Sequence, residues 1–306
     1  MSPGIRGPLL QNPSVHLPTT VTSYDRGGNR QITVTDTSRV LALSMNGNLA
    51  SMVYALGLGD QLIARDVVTD EPELEHLPIV TRAGHSIEAE TIIGLNPSLI
   101  ISDGSIGPLD VVIQLREAGI TVVFVERDSS FEGSYRIAQQ VGDALGSSEA
   151  GTELSNLLRE EIEQKSAEIQ RLVPQDAENQ LRIAFLYLRG AAKIYYLFGA
   201  ESGADTLIHA LGGVDIATEL GWVGMRPVTD EALIELNPDL LLLMSDGLQS
   251  VGGVDGLFET LPALKLTQAG INRRVVDMAD TEVLSFGVDM AGVLDALARA
   301  IYAPGQ

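Results

Sequence analysis

The stretch RAGHSIEAETIIGLNPSLIISDG, residues 82–104, returns in looser form as RPVTDEALIELNPDLLLLMSDG at residues 226–247. An offset of 141 residues carries Asn96-Pro97 onto Asn237-Pro238, and Ser-Asp-Gly closes both copies. Each copy predicts a short acidic helix that ends before its proline, because proline cannot continue a helix. A buried parallel strand of Leu and Ile follows. Two copies this far apart, with unrelated sequence between them, predict two lobes of similar architecture rather than a solenoid.

Composition excludes several classes of partner and site. The 306 residues carry 20 Lys and Arg against 41 Asp and Glu, a formal net charge of −21. Nucleic acids and anionic membrane faces select basic surfaces, so we expect neither as a partner. Because there is no cysteine, disulfides, thiolate metal sites and cysteine nucleophiles are excluded. The sequence has no apolar run of the length that a transmembrane helix needs.

Strands alternate with helices along most of the chain, which predicts an α/β fold of two Rossmann-like lobes with mostly parallel sheets. An amphipathic pattern over residues 151–173 predicts a single long helix that connects the lobes. The predicted domains are a flexible N-terminal tether at 1–33, an N-terminal lobe at 34–147, a connecting helix at 148–174 and a C-terminal lobe at 175–306. The predicted strands lie at 39–43, 62–66, 121–125, 181–188, 193–198, 240–244 and 274–278. Besides the repeat and connecting helices, helices are predicted at 48–56, 109–118, 131–145, 204–211, 256–261 and 285–302.

The first 30 residues are rich in proline, glycine and small polar residues, which is typical of a tether. They show no basic start followed by an apolar core, so a secretory leader is not visible. Two interpretations stay open at this point. The protein is either cytoplasmic with a loose tail, or exported with a leader that lies outside this sequence.

Ligands of open α/β sheets bind beyond the carboxyl ends of the strands, so we expect a ligand cleft between the two lobes. The loops there supply the candidates His85, Asp103, Tyr187 with Arg189, Trp222, Met225, Arg226 and Phe286. Each has a plainer alternative, since Tyr187 could cap the core and Trp222 or Met225 could be packing residues. His16, His76 and His209 show no metal-binding spacing, although a weak site of His85, Asp103 and Asp246 is conceivable. Walker, dinucleotide and serine-nucleophile motifs are absent from the sequence, so an enzyme has little support.

Several segments together resemble one family. They are SRVLALS at 38–44, ALGLGDQL at 55–62, the two Leu-Asn-Pro segments and GGVDIA at 212–217. From about residue 34 to 302, the chain resembles the class III, helix-linked substrate-binding proteins of ABC importers, which carry haem, siderophores or cobalamin. The resemblance implies that Glu90 and Glu231 dock onto the permease. It also implies a monomer on the extracellular face of the cell membrane, lipid-anchored through a segment outside this sequence.

Within that family, GHSIEAE at 84–90 and Tyr187-Leu188-Arg189 resemble the haem-binding HmuT type of Gram-positive actinobacteria. The resemblance implies capture of ferric haem b, iron protoporphyrin IX, with His85 and Tyr187 as the two axial ligands and Arg189 beside Tyr187. Both side chains are recognised haem ligands. The expected pocket residues are Asn46, Trp222, Met225, Arg226 and Phe286, with Asn46 and Arg226 as propionate partners.

The partners that this resemblance implies are an ABC importer permease and cell-surface haem-binding proteins upstream of it. Two alternatives remain. One is a siderophore or cobalamin binder of the same fold, and the other is a metal-dependent enzyme on a two-lobed α/β frame.

Overall fold

The computed structural model describes residues 8–69, 71–82, 86–174, 180–192 and 194–303. The chain forms two compact units. Among the described residues, the N-terminal unit comprises 8–160 and Ser285–Met290, and the C-terminal unit comprises 161–284 and 291–303. No helix in the described ranges is long and apolar enough to cross a membrane.

The N-terminal unit is built on a three-stranded parallel sheet in the order β3-β6-β7. Its strands are β1 (Thr19–Ser23), β2 (Arg30–Val34), β3 (Val40–Leu43), β4 (Thr81–Arg82), β5 (Ser86–Ile87), β6 (Leu99–Ser102) and β7 (Thr121–Phe124). Its helices are α1 (Asn48–Val53), α2 (Ala89–Gly94), α3 (Leu109–Glu117), α4 (Phe131–Ala144) and α5 (Ser148–Gln170), of which the last continues into the C-terminal unit.

Burial on both faces explains the near-continuous apolar runs of this sheet. Every residue of β3 and β6 is buried, as parallel strands covered by helices require. Leu41, Ile100 and Val122 occupy facing register positions on the three strands and belong to one core cluster. The predicted strands at 39–43 and 121–125 are therefore confirmed.

The predicted tether is wrong for residues 19–33, because β1 and β2 pair there as an antiparallel hairpin. The hairpin is attached to β7 by two hydrogen bonds. The N–H of Tyr24 donates to the Phe124 carbonyl at 2.8 Å, and the N–H of Phe124 donates to Ser23 Oγ at 2.8 Å. Arg116 adds a bidentate ion pair to Asp25 at 2.7 and 2.9 Å. The missed signal was a Gly-Gly turn between two runs of β-branched residues.

The predicted strand at 62–66 is also wrong, since only single bridges form there, from Leu62 to Val40 and from Arg65 to Ile79. The Asp66 side chain ends the extended segment. Its Oδ1 accepts hydrogen bonds from the N–H of Val68 at 3.0 Å and of Thr69 at 2.8 Å. A short polar side chain that captures nearby N–H groups in this way makes a turn and competes with strand pairing.

The C-terminal unit is built on a six-stranded mixed sheet in the order β11-β9-β8-β12-β13, with β10 also paired to β8. Its strands are β8 (Arg182–Arg189), β9 (Ile194–Phe198), β10 (Val214–Asp215), β11 (Met225–Pro227), β12 (Leu240–Met244) and β13 (Val275–Met278). Its helices are α6 (Ala204–Ala210), α7 (Ile216–Glu219), α8 (Asp230–Leu236), α9 (Ser245–Ser250), α10 (Gly253–Thr260), α11 (Gln268–Ile271) and α12 (Asp280–Val283), and α13 (Met290–Tyr302) ends the described chain. The strands β10, β12 and β13 run parallel to their neighbours, whereas β9 and β11 are antiparallel.

The two sequence copies fold alike up to the strand and then differ. In both copies the asparagine after the helix has a left-handed backbone, with φ of 49° at Asn96 and 44° at Asn237. Asparagine tolerates this conformation, and proline follows it. The Ser-Asp-Gly segment is a turn in the first copy, but in the second copy it begins α9. The α/β prediction with mostly parallel sheets is confirmed.

The predicted helix at 285–302 begins only at Met290, as α13. Phe286 interrupts it with φ of 49°, a conformation that few bulky residues adopt. The carbonyl of Ser285 accepts a hydrogen bond from Asn48 Nδ2 at 3.1 Å. Residues 285–290 thus pack into the N-terminal unit instead of extending the helix.

Candidate functional site

Tyr187 and Arg189 lie on the same side of β8, close to its carboxyl end. Side chains alternate along a strand, so residues two apart share a face. Tyr187 is half-buried and Arg189 is exposed, whereas Leu186 and Leu188 on the other face are buried in the core. Arg189 Nε donates a hydrogen bond to the phenolic oxygen of Tyr187. The guanidinium carbon also lies 5.7 Å from the centre of the Tyr187 ring.

The face that carries Tyr187 is aromatic. In the register of β8 with β9, Tyr187 lies opposite Tyr196 and Phe185 lies opposite Phe198. The Phe198 ring stacks on both β8 rings, with centroid distances of 5.1 Å to Phe185 and 5.8 Å to Tyr187. Phe185 and Phe198 are buried, while Tyr187 and Tyr196 are partly exposed. The Tyr187 ring is therefore held by packing, and its oxygen is aimed by Arg189.

A carboxyl group lies within electrostatic reach of Arg189. Asp280 Oδ1 accepts a hydrogen bond from the N–H of Asp246 at 3.0 Å. Burial raises the pKa of Asp280, the Asp246 carboxylate raises it further, and the Arg189 guanidinium opposes the shift. Arg189 is thus a cation with an acceptor oxygen on Tyr187 and an acidic group nearby.

The remaining C-terminal candidates are divided between two faces. Met225 is 58% exposed and lies opposite Phe198, which continues the aromatic face onto β11. Arg226 lies opposite the core residue Leu197, so alternation places it on the other face of the strand from Tyr187. Its guanidinium carbon lies 5.9 Å from the Trp222 ring centre, and Trp222 itself packs on the core. The strand register therefore groups Met225 with Tyr187 but not Arg226.

In the N-terminal unit, the loops that follow β3, β6 and β7 surround a depression of about 60 Å³. Small-molecule sites have volumes of about 300–1,000 Å³, so this depression alone is too small to enclose one. Exposed Asn46 and half-buried Asp103 lie on its rim, and Asp103 Oδ1 accepts hydrogen bonds from Ser105 N at 2.9 Å and Oγ at 2.5 Å. Phe286 lines its wall but is 2% exposed, with its ring 5.7 Å from that of Phe131. Phe286 thus offers little free apolar surface.

A buried polar network supports this rim. Asp66 is fully buried and accepts hydrogen bonds from the backbone N–H of Ser44 at 3.4 Å and from Thr69 Oγ1 at 3.0 Å. Ser44 Oγ donates to Asn48 Oδ1 at 2.7 Å. Burial raises the pKa of Asp66, and these hydrogen bonds oppose the shift. The network fixes the chain at the end of β3, where Met45 and Asn46 reach the depression.

The sequence analysis missed two residues of these surfaces. Tyr196 shares the aromatic face, and alternation within Ile194–Phe198 was the available signal. Arg127 lines the depression directly after β7, and its position two residues beyond the predicted strand at 121–125 was the signal.

Two residues that the sequence suggested lie apart from these surfaces, and a third lies outside the described residues. His85 lies outside the described residues. Glu90 and Glu231 are both exposed in the first turn of their helices, α2 and α8. No cluster of three or more His, Asp or Glu side chains that would hold a metal ion occurs in the described part of the chain.

Comparison with known proteins agrees with this architecture. Residues 44–281 match the sequence model of the periplasmic binding proteins. The chain belongs to the periplasmic binding protein family. A relative described as an uncharacterised ABC transporter substrate-binding lipoprotein, YvrC of Bacillus subtilis, is 27% identical over 92% of this chain and 85% of its own length.

Solved structures of the family include closer matches. The crystal structure of the haem-binding protein HmuT is 36% identical, covers 98% of this chain and 95% of its own, and has a TM-score of 0.88. Structures of HmuT with one arginine, histidine or tyrosine replaced by alanine match equally well. The apo haem-binding protein RhuT of Roseiflexus sp. RS-1 is 32% identical over 89% of this chain and 100% of its own, with a TM-score of 0.76. More distantly, a cobalamin-binding protein of Halobacterium salinarum is 23% identical over 70% of this chain and 56% of its own.

Proposed function

We propose that this protein binds ferric haem outside the cell and delivers it to an ABC importer. One observation carries the proposal, namely the Tyr187–Arg189 pair on an aromatic face at the carboxyl end of β8. Haem needs an axial ligand for its iron and apolar surface for its macrocycle. A phenolate is a recognised ligand, and this face supplies both features.

The HmuT comparison supports the roles of this pair. In HmuT the tyrosine and the arginine that were replaced by alanine are two positions apart, which is also the spacing of Tyr187 and Arg189. The replaced histidine lies 99 positions before that tyrosine, and His85 lies 102 positions before Tyr187. We assign His85 as the second axial ligand, because imidazole is a recognised axial ligand of haem iron.

The remaining parts of the proposal concern the cell. Substrate-binding proteins of ABC transporters deliver their cargo to a permease, so a haem permease is the proposed partner, with Glu90 and Glu231 as its docking residues. The lipoprotein relative supports a lipid anchor and a position on the extracellular face of the membrane. The role is one of binding and release rather than catalysis. Cell-surface haem-binding proteins are the proposed source of the haem, and the monomer is the proposed working form.

Hemin titration of the purified protein tests the haem proposal. We expect a sharp Soret band that saturates at one equivalent, with cobalamin and ferric siderophores unbound under the same conditions. His85→Ala and Tyr187→Ala should each change the visible spectrum, and the double variant should lose stoichiometric binding. Tyr195→Phe is the matched control, since Tyr195 lies on the core side of β9. An unchanged spectrum in His85→Ala would contradict two-ligand coordination. Cobalamin binding without a Soret response would replace haem with the alternative cargo.

A further inference from the structure

The rim of the N-terminal depression carries a cation that the proposed axial ligands do not explain. Arg127 is exposed, lies three residues beyond the end of β7 and lines the depression together with Asn46 and Ser105. It makes no hydrogen bond or ion pair with another described residue. Carboxylates outnumber cations in this chain, with 41 Asp and Glu against 20 Lys and Arg, yet Arg127 has no carboxylate partner among the described residues.

The acidic neighbours of Arg127 are already engaged. Arg136, on α4, donates from Nε to Glu126 at 2.7 Å and from Nη2 to Asp128 at 2.5 Å. These are the residues immediately before and after Arg127. Asp103, across the depression, accepts from Ser105. The local structure therefore directs the flanking carboxylates to another guanidinium and leaves the fork of Arg127 available for an outside acceptor.

The strand register of the C-terminal sheet separates Arg226 from Tyr187. Arg226, the arginine that the sequence suggested for a propionate, is exposed but lies on the opposite face of the strand from Tyr187, over the Trp222 ring. Among the described residues that line the depression, Arg127 is the only cation. Guanidinium groups bind carboxylates through paired hydrogen bonds.

We propose that Arg127 binds a propionate carboxylate of the ligand and so selects an anionic tetrapyrrole. This inference rests on the proposed haem-binding function and adds a specificity residue to it. Asn46, on the same rim, supplies a neutral amide within the same depression. Arg127 thus acts on the edge of the ligand and not on its iron, so its loss should leave the axial coordination intact.

A ligand cycle tests this assignment. Arg127→Ala and the unchanged protein are titrated with hemin and with its dimethyl ester, in which both propionates are neutral, in the same low concentration of non-ionic detergent. We expect Arg127→Ala to weaken hemin binding by about tenfold, as for a charge-assisted hydrogen bond at a partly exposed site, and to leave ester binding unchanged. Arg127→Lys should recover part of the loss. The Soret position of bound hemin should not change in either variant.

Two controls separate the possible outcomes. Arg26→Ala removes an exposed arginine from the turn between β1 and β2 and should not affect either ligand. Arg226→Ala tests the residue suggested by the sequence. Equal losses for hemin and ester, or no loss for hemin, would overturn the role of Arg127. If the unchanged protein fails to bind hemin at all, the proposed function itself fails, and that result is distinct from the other two.

Discussion

Arg189 Nε donates a hydrogen bond to the phenolic oxygen of Tyr187, from two residues farther along the same face of β8. A guanidinium stays protonated at any physiological pH, so the bond places a permanent positive charge beside that oxygen. In a haem complex, a charge at this position would stabilise an iron-bound tyrosinate, which is a recognised axial ligand. The hydrogen bond therefore fixes the direction of the Tyr187 oxygen in the haem-free protein.

Removal of this charge should make the tyrosine ligand easier to lose in acid. In Arg189→Ala with bound ferric haem, the oxygen no longer has a neighbouring cation, so protonation competes with iron at a higher pH. We expect the midpoint for loss of the tyrosinate bond to shift upward. The measurement is a pH titration of the ferric charge-transfer bands in both proteins.

Arg189→Lys is the matched control for that titration, because it keeps the charge but not the planar fork. Its midpoint should lie between the other two. If all midpoints coincide, the position of Arg189 reflects only strand geometry.

Tyr187→Phe should separate iron coordination from packing. The variant keeps the ring that stacks on Phe198 at 5.8 Å and loses only the oxygen. One partly exposed hydrogen bond contributes about 1 kcal/mol, so the melting temperature of the haem-free protein should change by only a few degrees. The ferric spectrum should nevertheless lose its tyrosinate bands. A large loss of stability with unchanged bands would show that Tyr187 is a packing residue, which was the plainer alternative at the sequence level.

Asp66 should make the N-terminal unit less stable as the pH rises. Burial holds the pKa of this carboxyl above its usual range, so the folded protein binds a proton more tightly than the unfolded chain does. A group of this kind stabilises the fold fully below its unfolded pKa, and the contribution is lost as the pH rises through the folded value. The free energy of unfolding of the unchanged protein, relative to that of Asp66→Asn, should fall by at most about 1.4 kcal/mol per pH unit, beginning near pH 4.

Urea unfolding of both proteins between pH 4 and pH 8 measures this difference. The Asp36→Asn variant is the matched control. Asp36 is exposed on the surface, and a hydrogen bond from Ser38 lowers its pKa. Its contribution to the free energy of unfolding should therefore increase as the pH rises, which is opposite to that of Asp66. If the difference in unfolding free energy between the unchanged protein and Asp66→Asn stays constant with pH, proton-linked stabilisation at this site is ruled out.

Glu90 and Glu231 should act in transport and not in haem binding. Both are exposed at the start of the repeat helices α2 and α8. Charge reversal at both, Glu90→Lys with Glu231→Lys, should abolish haem uptake by cells while the purified protein binds hemin normally. Reversal of Glu75 and Glu259, also exposed and one in each unit, is the control. Weakened hemin binding in the first pair would refute docking as their role.

The repeat explains why much of the fold was predictable from the sequence. Asn96-Pro97 and Asn237-Pro238 end helices and start strands through local chemistry, since a left-handed asparagine followed by proline acts wherever it occurs. Buried parallel strands such as Leu99–Ser102 and Leu240–Met244 are continuous apolar runs, which are easily recognised.

The errors arose where distant contacts decide the structure. The hairpin of β1 and β2 depends on contacts of Asp25 with Arg116 and of Ser23 with β7, which lie 91 and 101 residues farther along the chain. Phe286 leaves the helical pattern because its neighbour Ser285 binds Asn48, 237 residues away. Local periodicity carries no information on such pairs.

The site was predictable in part for the same reason. The Tyr187–Arg189 pair is a local feature of one strand, so the sequence placed both residues at its carboxyl end, and the resemblance to the haem-binding type supplied their role. The position of Arg226 depends on the pairing of β11 with β9, and Arg127 is distinguished by the engagement of its neighbours with Arg136. Both facts require register and side-chain contacts, which a single sequence does not contain.

The oxidation state of the iron should control the Tyr187 bond. A free phenol titrates near pH 10, so at neutral pH the iron must displace a proton to bind this oxygen. Ferric iron does so because it favours a hard anionic ligand, and Arg189 lowers the cost further. Ferrous iron carries one positive charge less and favours the phenolate less, whereas neutral imidazole suits both states.

We therefore expect dithionite reduction to weaken or break the bond to Tyr187 while the bond to His85 persists. Resonance Raman spectra of the ferric and ferrous forms measure both bonds, and in Tyr187→Phe the ferrous spectrum should match that of the unchanged protein. Tyrosinate bands that survive reduction at full strength would show that the local field, rather than the charge of the iron, determines the ligand.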